Sequence, residues 1–239
     1  MKGIHFQRFD ATGQATRVAR VAHVRRLASI AILAVGCALF VSSLPAQTPH
    51  THDHGFSGAA QWASVFDDPA RDAWQKPHEV IGALGLSAGA SVADIGAGTG
   101  YFAVRLAHMV SGGKVYAVDT EPDMVKYLAE RASKSGLTNL IALQGTPASP
   151  NLPAKVDLVL LVDVFHHIGD RVRYFRDLRA SLTAGGKVAI IDFRADSPVG
   201  PPAQARLAPQ QVIDEMVQAG YALDKTQDFL PNQYFLTFK

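Results

Sequence analysis

From residue 76 to its end, the chain alternates between two patterns of apolar positions. Continuous apolar runs of about four to eight residues are typical of strands buried on both faces of a sheet. Segments whose apolar residues recur every three or four positions are typical of amphipathic helices. The runs predict strands at 91–95, 114–118, 140–144, 156–162, 187–192, 221–229 and 234–238. The helical segments lie at 101–109, 122–134, 171–182 and 209–219.

The order of these elements indicates the fold class. Strands that alternate with helices are typical of an α/β fold with a parallel sheet. Only a short turn containing Pro231 and Asn232 separates the last two strands, and such a turn permits only antiparallel pairing. The sequence therefore predicts a doubly wound, mostly parallel seven-stranded sheet with an antiparallel last strand. No internal repeat or second domain is visible.

The most informative segment is VADIGAGTGYFAVRLA, residues 92–107. A predicted strand ends near Asp94, and Gly96, Gly98 and Gly100 then alternate with small residues before a helix begins. Glycines allow the backbone to approach a ligand closely, and the helix N-terminus directs free N–H groups to the same place. A nucleotide-like cofactor is therefore predicted at the carboxyl edge of the sheet. The spacing is G-x-G-x-G, whereas a dinucleotide fingerprint has G-x-G-x-x-G.

This segment resembles motif I of the class I S-adenosylmethionine-dependent methyltransferases, (D/E)-x-G-x-G-x-G. Asp94 and the three glycines match the motif position by position. Asp119 at the end of the second strand and GGKVAIIDF at 185–193 extend the resemblance, which covers roughly residues 76–239. The resemblance implies a Rossmann-like methyltransferase fold, S-adenosylmethionine as cofactor, and an enzyme that transfers a methyl group.

Four predicted strands end in aspartates: Asp94, Asp119, Asp163 and Asp192. The resemblance implies that Asp119 binds the ribose hydroxyls, that Gly96 and Gly98 accommodate the methionine and ribose portions, and that Asp94 orients the turn. Many relatives bind the adenine with an acid after the third strand. This chain has Thr146 there, so that hydroxyl or a backbone group would serve instead. The expected cofactor contacts are Asp94, Gly96, Ala97, Gly98, Gly100, Asp119, Thr120, Thr146 and Asp163.

Two histidines, His166 and His167, follow the fourth strand, where a methyl acceptor would lie. Either could act as a general base, or both could only line the cofactor wall. Positioning alone can supply most of the catalysis of a methyl transfer, so a base is needed only when the acceptor must lose its proton early. Aromatic residues and prolines at 56–74, 193–206 and 230–234 favour a small, partly apolar acceptor over a nucleic acid.

Two other functions remain open at this point. One is a binding protein that keeps the cofactor without catalysis, and the other is a nicotinamide-dependent oxidoreductase, which the glycine spacing disfavours. Cys37 is the one cysteine of the chain, so the domain has neither a thiol nucleophile nor a thiolate-rich metal site. His50, His52 and His54 could bind a metal weakly, but a solvated tether is favoured, and no metal is predicted.

The N-terminal 46 residues carry six basic side chains against one acidic side chain. An uncharged apolar run follows Arg25 and Arg26, and no basic residue comes after it until Arg71. This pattern predicts a signal peptide or a membrane anchor. Cleavage near Ala46, retention in the membrane and lipidation of Cys37 are alternatives. The predicted organisation is a leader at 1–46, a histidine-containing tether and aromatic cap at 47–75, and a methyltransferase domain at 76–239.

The leader also determines the overall charge of the chain and its expected location. The leader accounts for the basic isoelectric point of about 8.7, because residues 47–239 carry 17 basic and 20 acidic side chains. The charge therefore does not indicate a nucleic-acid partner. The leader predicts an exported domain, periplasmic or membrane-anchored and facing outward. The cytoplasm is the alternative, since S-adenosylmethionine is made there. No oligomeric state is indicated.

Overall fold

The structure is a computed structural model that describes residues 58–239. The predicted leader at 1–46, with Cys37, lies outside the described residues, as do the tether histidines His50, His52 and His54. Within residues 58–239, no helix combines the length and the apolar character that crossing a membrane requires.

Seven strands form one sheet with the order β3-β2-β1-β4-β5-β7-β6. The strands are β1 Ser91–Ile95, β2 Lys114–Asp119, β3 Leu140–Gln144, β4 Val156–Val162, β5 Leu182–Phe193, β6 Leu223–Gln227 and β7 Gln233–Phe238. Strand β7 is antiparallel to both of its neighbours, and the pairs from β3 to β5 are all parallel. The predicted doubly wound sheet with an antiparallel last strand is confirmed.

Helices cover both faces of this sheet. They are α1 Ala59–Phe66, α2 Asp72–Gln75, α3 Pro77–Leu84, α4 Tyr101–Met109, α5 Pro122–Lys134, α6 Arg171–Leu178 and α7 Pro209–Gln218. Successive residues of a strand point to opposite faces, so Val92 packs in the cluster of α3, α4 and α5, and Ala93 packs in the cluster of α6 and α7. The two apolar clusters explain why β4 is a continuous apolar run apart from one residue.

Three elements, β5, α6 and β6, differ from the prediction by two or more residues at a boundary. Strand β5 begins at Leu182 instead of residue 187, because Leu182 pairs with Val156 before the register shifts to Lys187 opposite Leu158. The preceding α-helix consequently ends at Leu178 and continues as a 3-10 turn, Arg179–Ser181. Strand β6 is also shorter than predicted, at Leu223–Gln227. These errors come from pairing across the sheet, which a local apolar pattern does not report.

The turn between α4 and β2 generates a prediction about stability. A Cβ on Gly113 would lie 1.9 Å from the carbonyl oxygen of Ala90, whereas a Cβ on Gly112 would meet its nearest atom at 3.4 Å. Gly113→Ala should therefore lower the free energy of unfolding by about 2 kcal/mol or more, since backbone must move. Gly112→Ala should change it by less than about 1 kcal/mol. Urea unfolding of both variants measures the difference, and equal midpoints would contradict the close approach.

Candidate functional site

The turn after β1 has the backbone conformation that its glycines predict. Gly96, Gly98 and Gly100 have φ values of 69°, 55° and 94°, in the left-handed region that side chains disfavour. The amides of Gly96 and Ala97 donate to the carbonyl oxygen of Val118 at 2.8 and 3.0 Å. A Cβ on Gly96 would lie 2.3 Å from Cγ2 of Val164. Glycine is therefore required at Gly96 both by conformation and by space.

Asp119 connects this glycine turn to the end of β2. Its carboxylate accepts hydrogen bonds from the amides of Gly98 and Glu121 at 2.8 and 3.0 Å. Burial raises the pKa of Asp119, and the hydrogen bonds from the backbone amides of Glu121, Gly98 and Thr120 counteract this shift. The side chain predicted to bind a ribose thus also holds the glycine turn in place.

Asp94 lies beneath the same turn, and only part of its hydrogen-bonding capacity is used. The residue is 3 % exposed, and its Oδ2 atom has no hydrogen-bond partner among the described residues. The pKa of Asp94 is raised to about 7, chiefly by burial and also by the charge of Asp119, although Arg71 and a backbone hydrogen bond from Ala103 lower it. A buried carboxyl oxygen without a partner is costly, so this atom suits a ligand that supplies a hydrogen-bond donor or a positive charge.

Asp163 lies at the end of β4 with φ 61°, and four side chains connect there into a closed ring. Gln233 donates to Oδ1 of Asp163, and Nη2 of Arg71 lies 3.5 Å from Oδ2. The ring closes through Gln75, which donates to Gln233 at 2.6 Å and accepts from Arg71 at 3.2 Å. Burial and the nearby Asp192 raise the pKa of Asp163, while Arg71, Gln233 and His166 lower it.

His166 forms a buried pair with Asp192, whereas its neighbour His167 is exposed. Nδ1 of His166 lies 2.8 and 3.0 Å from the two carboxylate oxygens of Asp192. The two side chains are 5 % and 1 % exposed. His167 is exposed, and its ring stacks on that of His166 with centroids 4.1 Å apart. The structure thus separates two neighbours that the sequence presents as equivalent.

The remaining predicted contacts lie around this edge. Thr120 is exposed, and its carbonyl oxygen accepts a hydrogen bond from the side chain of Gln144. Thr146 is also exposed, and its hydroxyl is engaged with the backbone of Ser149 at 3.0 to 3.2 Å. These hydrogen bonds of the two threonines are made to the ends of β3 and of the loop that follows it, and their predicted contacts with adenine or ribose stay predictions. Within residues 58–239, no group of three or more histidine, cysteine or acidic side chains could hold a metal ion.

Sequence reasoning missed Arg71, Gln75 and Gln233. Arg71 ends a short 3-10 turn that Asp68 and Pro69 begin, a pair that marks a helix start in the sequence. That signal predicts a turn but not its position against Asp163, 92 residues further along the chain. The two glutamines carry no motif at all, and only their burial makes them noticeable.

Two surface concavities lie elsewhere. One of about 120 Å³ follows α5 around Arg131 and Lys134, and one of about 320 Å³ lies between α6 and α7 around Arg171 and Glu215. Neither is lined by a residue of the glycine turn or by an aspartate that ends a strand. The chemistry of the buried acids therefore locates the candidate site better than the shape of the surface does.

The fold and the sequence of this chain are similar to those of known proteins. A crystal structure of an S-adenosylmethionine-dependent methyltransferase from Aquifex aeolicus superimposes with a TM-score of 0.70 at 26% identity, over 75% of this chain and 97% of that one. A protein-L-isoaspartate O-methyltransferase of Aeropyrum pernix is 38% identical over 66 residues, which are 27% of this chain and 25% of that protein. The 27-O-demethylrifamycin SV methyltransferase of Amycolatopsis mediterranei is 30% identical over 154 residues, 63% of this chain and 56% of that protein.

The chain thus spans between a quarter and just over half of the length of these curated relatives. A family model described as a methyltransferase domain matches residues 86–228, which is more than half of the chain. The match contains the glycine turn and all four aspartates that end strands. The chain therefore belongs to the methyltransferase domain family, and its fold is that of a class I S-adenosylmethionine-dependent methyltransferase.

Proposed function

We propose that the whole protein transfers a methyl group from S-adenosylmethionine to a small, partly apolar acceptor. The observation that carries the proposal is the glycine turn braced by Asp119, with the unpartnered oxygen of Asp94 beneath it. Membership of the methyltransferase domain family supports the same reaction. When bound, S-adenosylmethionine supplies a methyl group on a positively charged sulfur, which is already a good leaving group.

The buried acids suit the chemistry of this cofactor. Asp94 has a free acceptor for the amino group of a methionine portion, and Asp119 has further lone pairs for ribose hydroxyls. Gly96 and Gly98 let the backbone of the turn approach, with the amide of Ala97 beside them, and Gly100 begins α4. Asp163 adds negative charge at the same edge. Thr120 and Thr146 complete the proposed contacts on the adenosine side.

His166 is the proposed general base, held by Asp192. Because a carboxylate accepts hydrogen bonds, Asp192 favours the tautomer of His166 with the proton on Nδ1. The lone pair of Nε2 is then available to accept a proton from the acceptor. Asp192 also accepts from the amides of His166 and Phe193, so its own position is fixed. His167 is exposed to solvent, so it is the weaker candidate.

The size and polarity of the acceptor are inferred from the residues beside this edge. Trp74 of α2 lies 5.8 Å from the ring of Phe193, which follows Asp192 directly. An aromatic wall next to buried acids favours a small molecule with an apolar part and one nucleophilic group. The relatives named above include one that methylates a protein residue and one that methylates a small molecule, so the proposal rests on the site itself.

Asp119→Ala should weaken the binding of S-adenosylhomocysteine by about 1.5–3 kcal/mol, the scale of hydrogen bonds to a charged group. Calorimetry measures this change, with Glu130→Ala, an exposed acid of α5, as the matched control. Titration with S-adenosylmethionine and NAD separates a methyltransferase from a nicotinamide-dependent oxidoreductase. Unchanged affinity in a folded Asp119→Ala variant would remove this residue from the site.

His166→Gln should lower kcat by about 100-fold or more, the contribution of a positioned general base, and leave the affinity for S-adenosylhomocysteine unchanged. His167→Gln should cost at least about tenfold less, because the ring of His167 is exposed whereas that of His166 is buried against Asp192. The assay uses an acceptor found by a mass-spectrometric screen for methylated products. Equal losses in the two variants would mean that the Asp192 pair does not select the base. A protein that binds the cofactor but methylates nothing in the screen would support the non-catalytic alternative.

The leader at 1–46 is proposed to export the domain, either as a cleaved signal peptide or as an anchor, with residues 47–75 as tether and cap before the domain at 76–239. The six basic residues before the apolar run support this orientation. A reporter enzyme that is active only after export, fused behind Lys239, should be active. An inactive reporter on a well-expressed fusion would place the domain in the cytoplasm, where the cofactor is made.

A further inference from the structure

Residues 58–75, called the strap from here on, lie across the glycine turn. The ring of Phe66 is 3.3 Å from where a Cβ of Gly98 would be. Beside it, Asp67 forms an ion pair with Arg131 at 2.8 Å, and Arg131 also donates to the carbonyl oxygen of Thr99 at 2.7 Å. Any ligand that binds at the glycine turn therefore meets the strap.

The strap contributes little to the apolar core. Ala59 and Gln75 are its fully buried residues, and neither apolar cluster contains a strap residue. Helix α3 follows directly and places Val80 and Ile81 in the core. Lys76, with φ 45°, separates the two parts. Segments with few buried apolar contacts open at low cost, so the strap can detach while α3 stays in place.

What holds the strap against the sheet is the closed ring of Arg71, Gln75, Gln233 and Asp163. Two of its members belong to the strap, one ends β4 and one begins β7. Gln75 and Gln233 are 0 % and 1 % exposed, so their hydrogen bond is shielded from water and is stronger than the same bond would be at the surface. The strap also contacts the buried Tyr101, whose hydroxyl donates to Asp72 and whose ring lies 4.2 Å from the guanidinium of Arg71. The Asp67–Arg131 pair and the hydrogen bond from Gly58 to Asp123 are more exposed and worth less.

We propose that this ring is a latch: it holds the strap closed over the glycine turn, and the cofactor enters and leaves when the latch opens. The latch rests on the proposed function, because the ligand that passes it is the cofactor of that function. Gln75 and Gln233 act through the strap and Asp163, so they are positioning residues. Both donate and accept within the ring, and removing either amide breaks it at a defined bond.

The tryptophans of the chain allow a direct test. The full chain has two, Trp62 and Trp74, and both lie on the strap, so intrinsic tryptophan fluorescence reports on this segment. In the full-length Gln75→Met variant without ligand, we expect acrylamide to quench this fluorescence more strongly than in the wild type. Asp123→Ala, which removes an exposed contact at the start of the strap, is the control and should quench like the wild type.

Binding kinetics test the latch as a gate. In stopped-flow experiments with S-adenosylhomocysteine, Gln75→Met should raise both the association and the dissociation rate constants by about tenfold, the scale of one buried hydrogen bond, with a smaller change in Kd. Gln233→Met should have the same effect from the sheet side. The double variant should have rate constants close to those of either single variant, because one broken hydrogen bond already opens the ring. A purely structural role would instead lower the melting temperature and leave the association rate unchanged.

Two results would overturn the proposal in different ways. Wild-type association rates in both glutamine variants, with wild-type quenching, would show that the ring does not hold the strap. Failure of every variant and of the wild type to bind S-adenosylhomocysteine would overturn the gate together with the proposed function. Quenching without ligand then still reports whether the ring holds the strap, so the two failures are distinguishable. If Gln75→Met does not fold, Gln233→Met provides the same measurements.

Discussion

Four buried or partly buried aspartates at one edge of the sheet are the constraint on which this structure depends. Parallel strands end on the same side, so Asp94, Asp119, Asp163 and Asp192 are brought together by topology alone. Burial raises the pKa of Asp94, Asp119 and Asp163, and the charge of a neighbouring acid adds to the shift at Asp94 and Asp163. Side chains and backbone amides from the loops and strand ends around this edge form hydrogen bonds or ion pairs with these aspartates.

Each acid is compensated in a different way. Asp119 accepts backbone amides, Asp192 pairs with His166, and Asp163 is held by Arg71 and Gln233. Asp94 alone keeps a buried oxygen without a partner among the described residues. Asp119, Asp163 and Asp192 thus have partners within the protein. Asp94 keeps one free acceptor, which a positively charged ligand would use in the proposed function. This division connects the electrostatics of the fold to the proposed chemistry.

The strap differs from the rest of the domain in the kind of contact that holds it. The helices that cover the sheet are bound by apolar contacts, which are numerous and do not depend on one partner. The strap is bound by a buried ring of polar contacts and by ion pairs, with aromatic contacts of Phe66 and Trp74 beside them. Polar contacts are directional, so they are either made or broken, and a segment held in this way can serve as a cover that opens. The glycine turn beneath is fixed independently, by Asp119 and by Val118.

The sequence by itself determined the alternation of strands and helices, the antiparallel last strand and the glycine turn with its flanking acids. These features depend on residues close together in the chain, since periodic burial and backbone conformation are local properties. The start of β5, the burial of His166 against Asp192 and the ring through Gln75 and Gln233 were decided by tertiary structure. Gln75 and Gln233 are 158 residues apart, and no local pattern brings their amides together. Only the packing of the strap against the ends of β4 and β7 buries both amides, and burial is what makes their hydrogen bond matter.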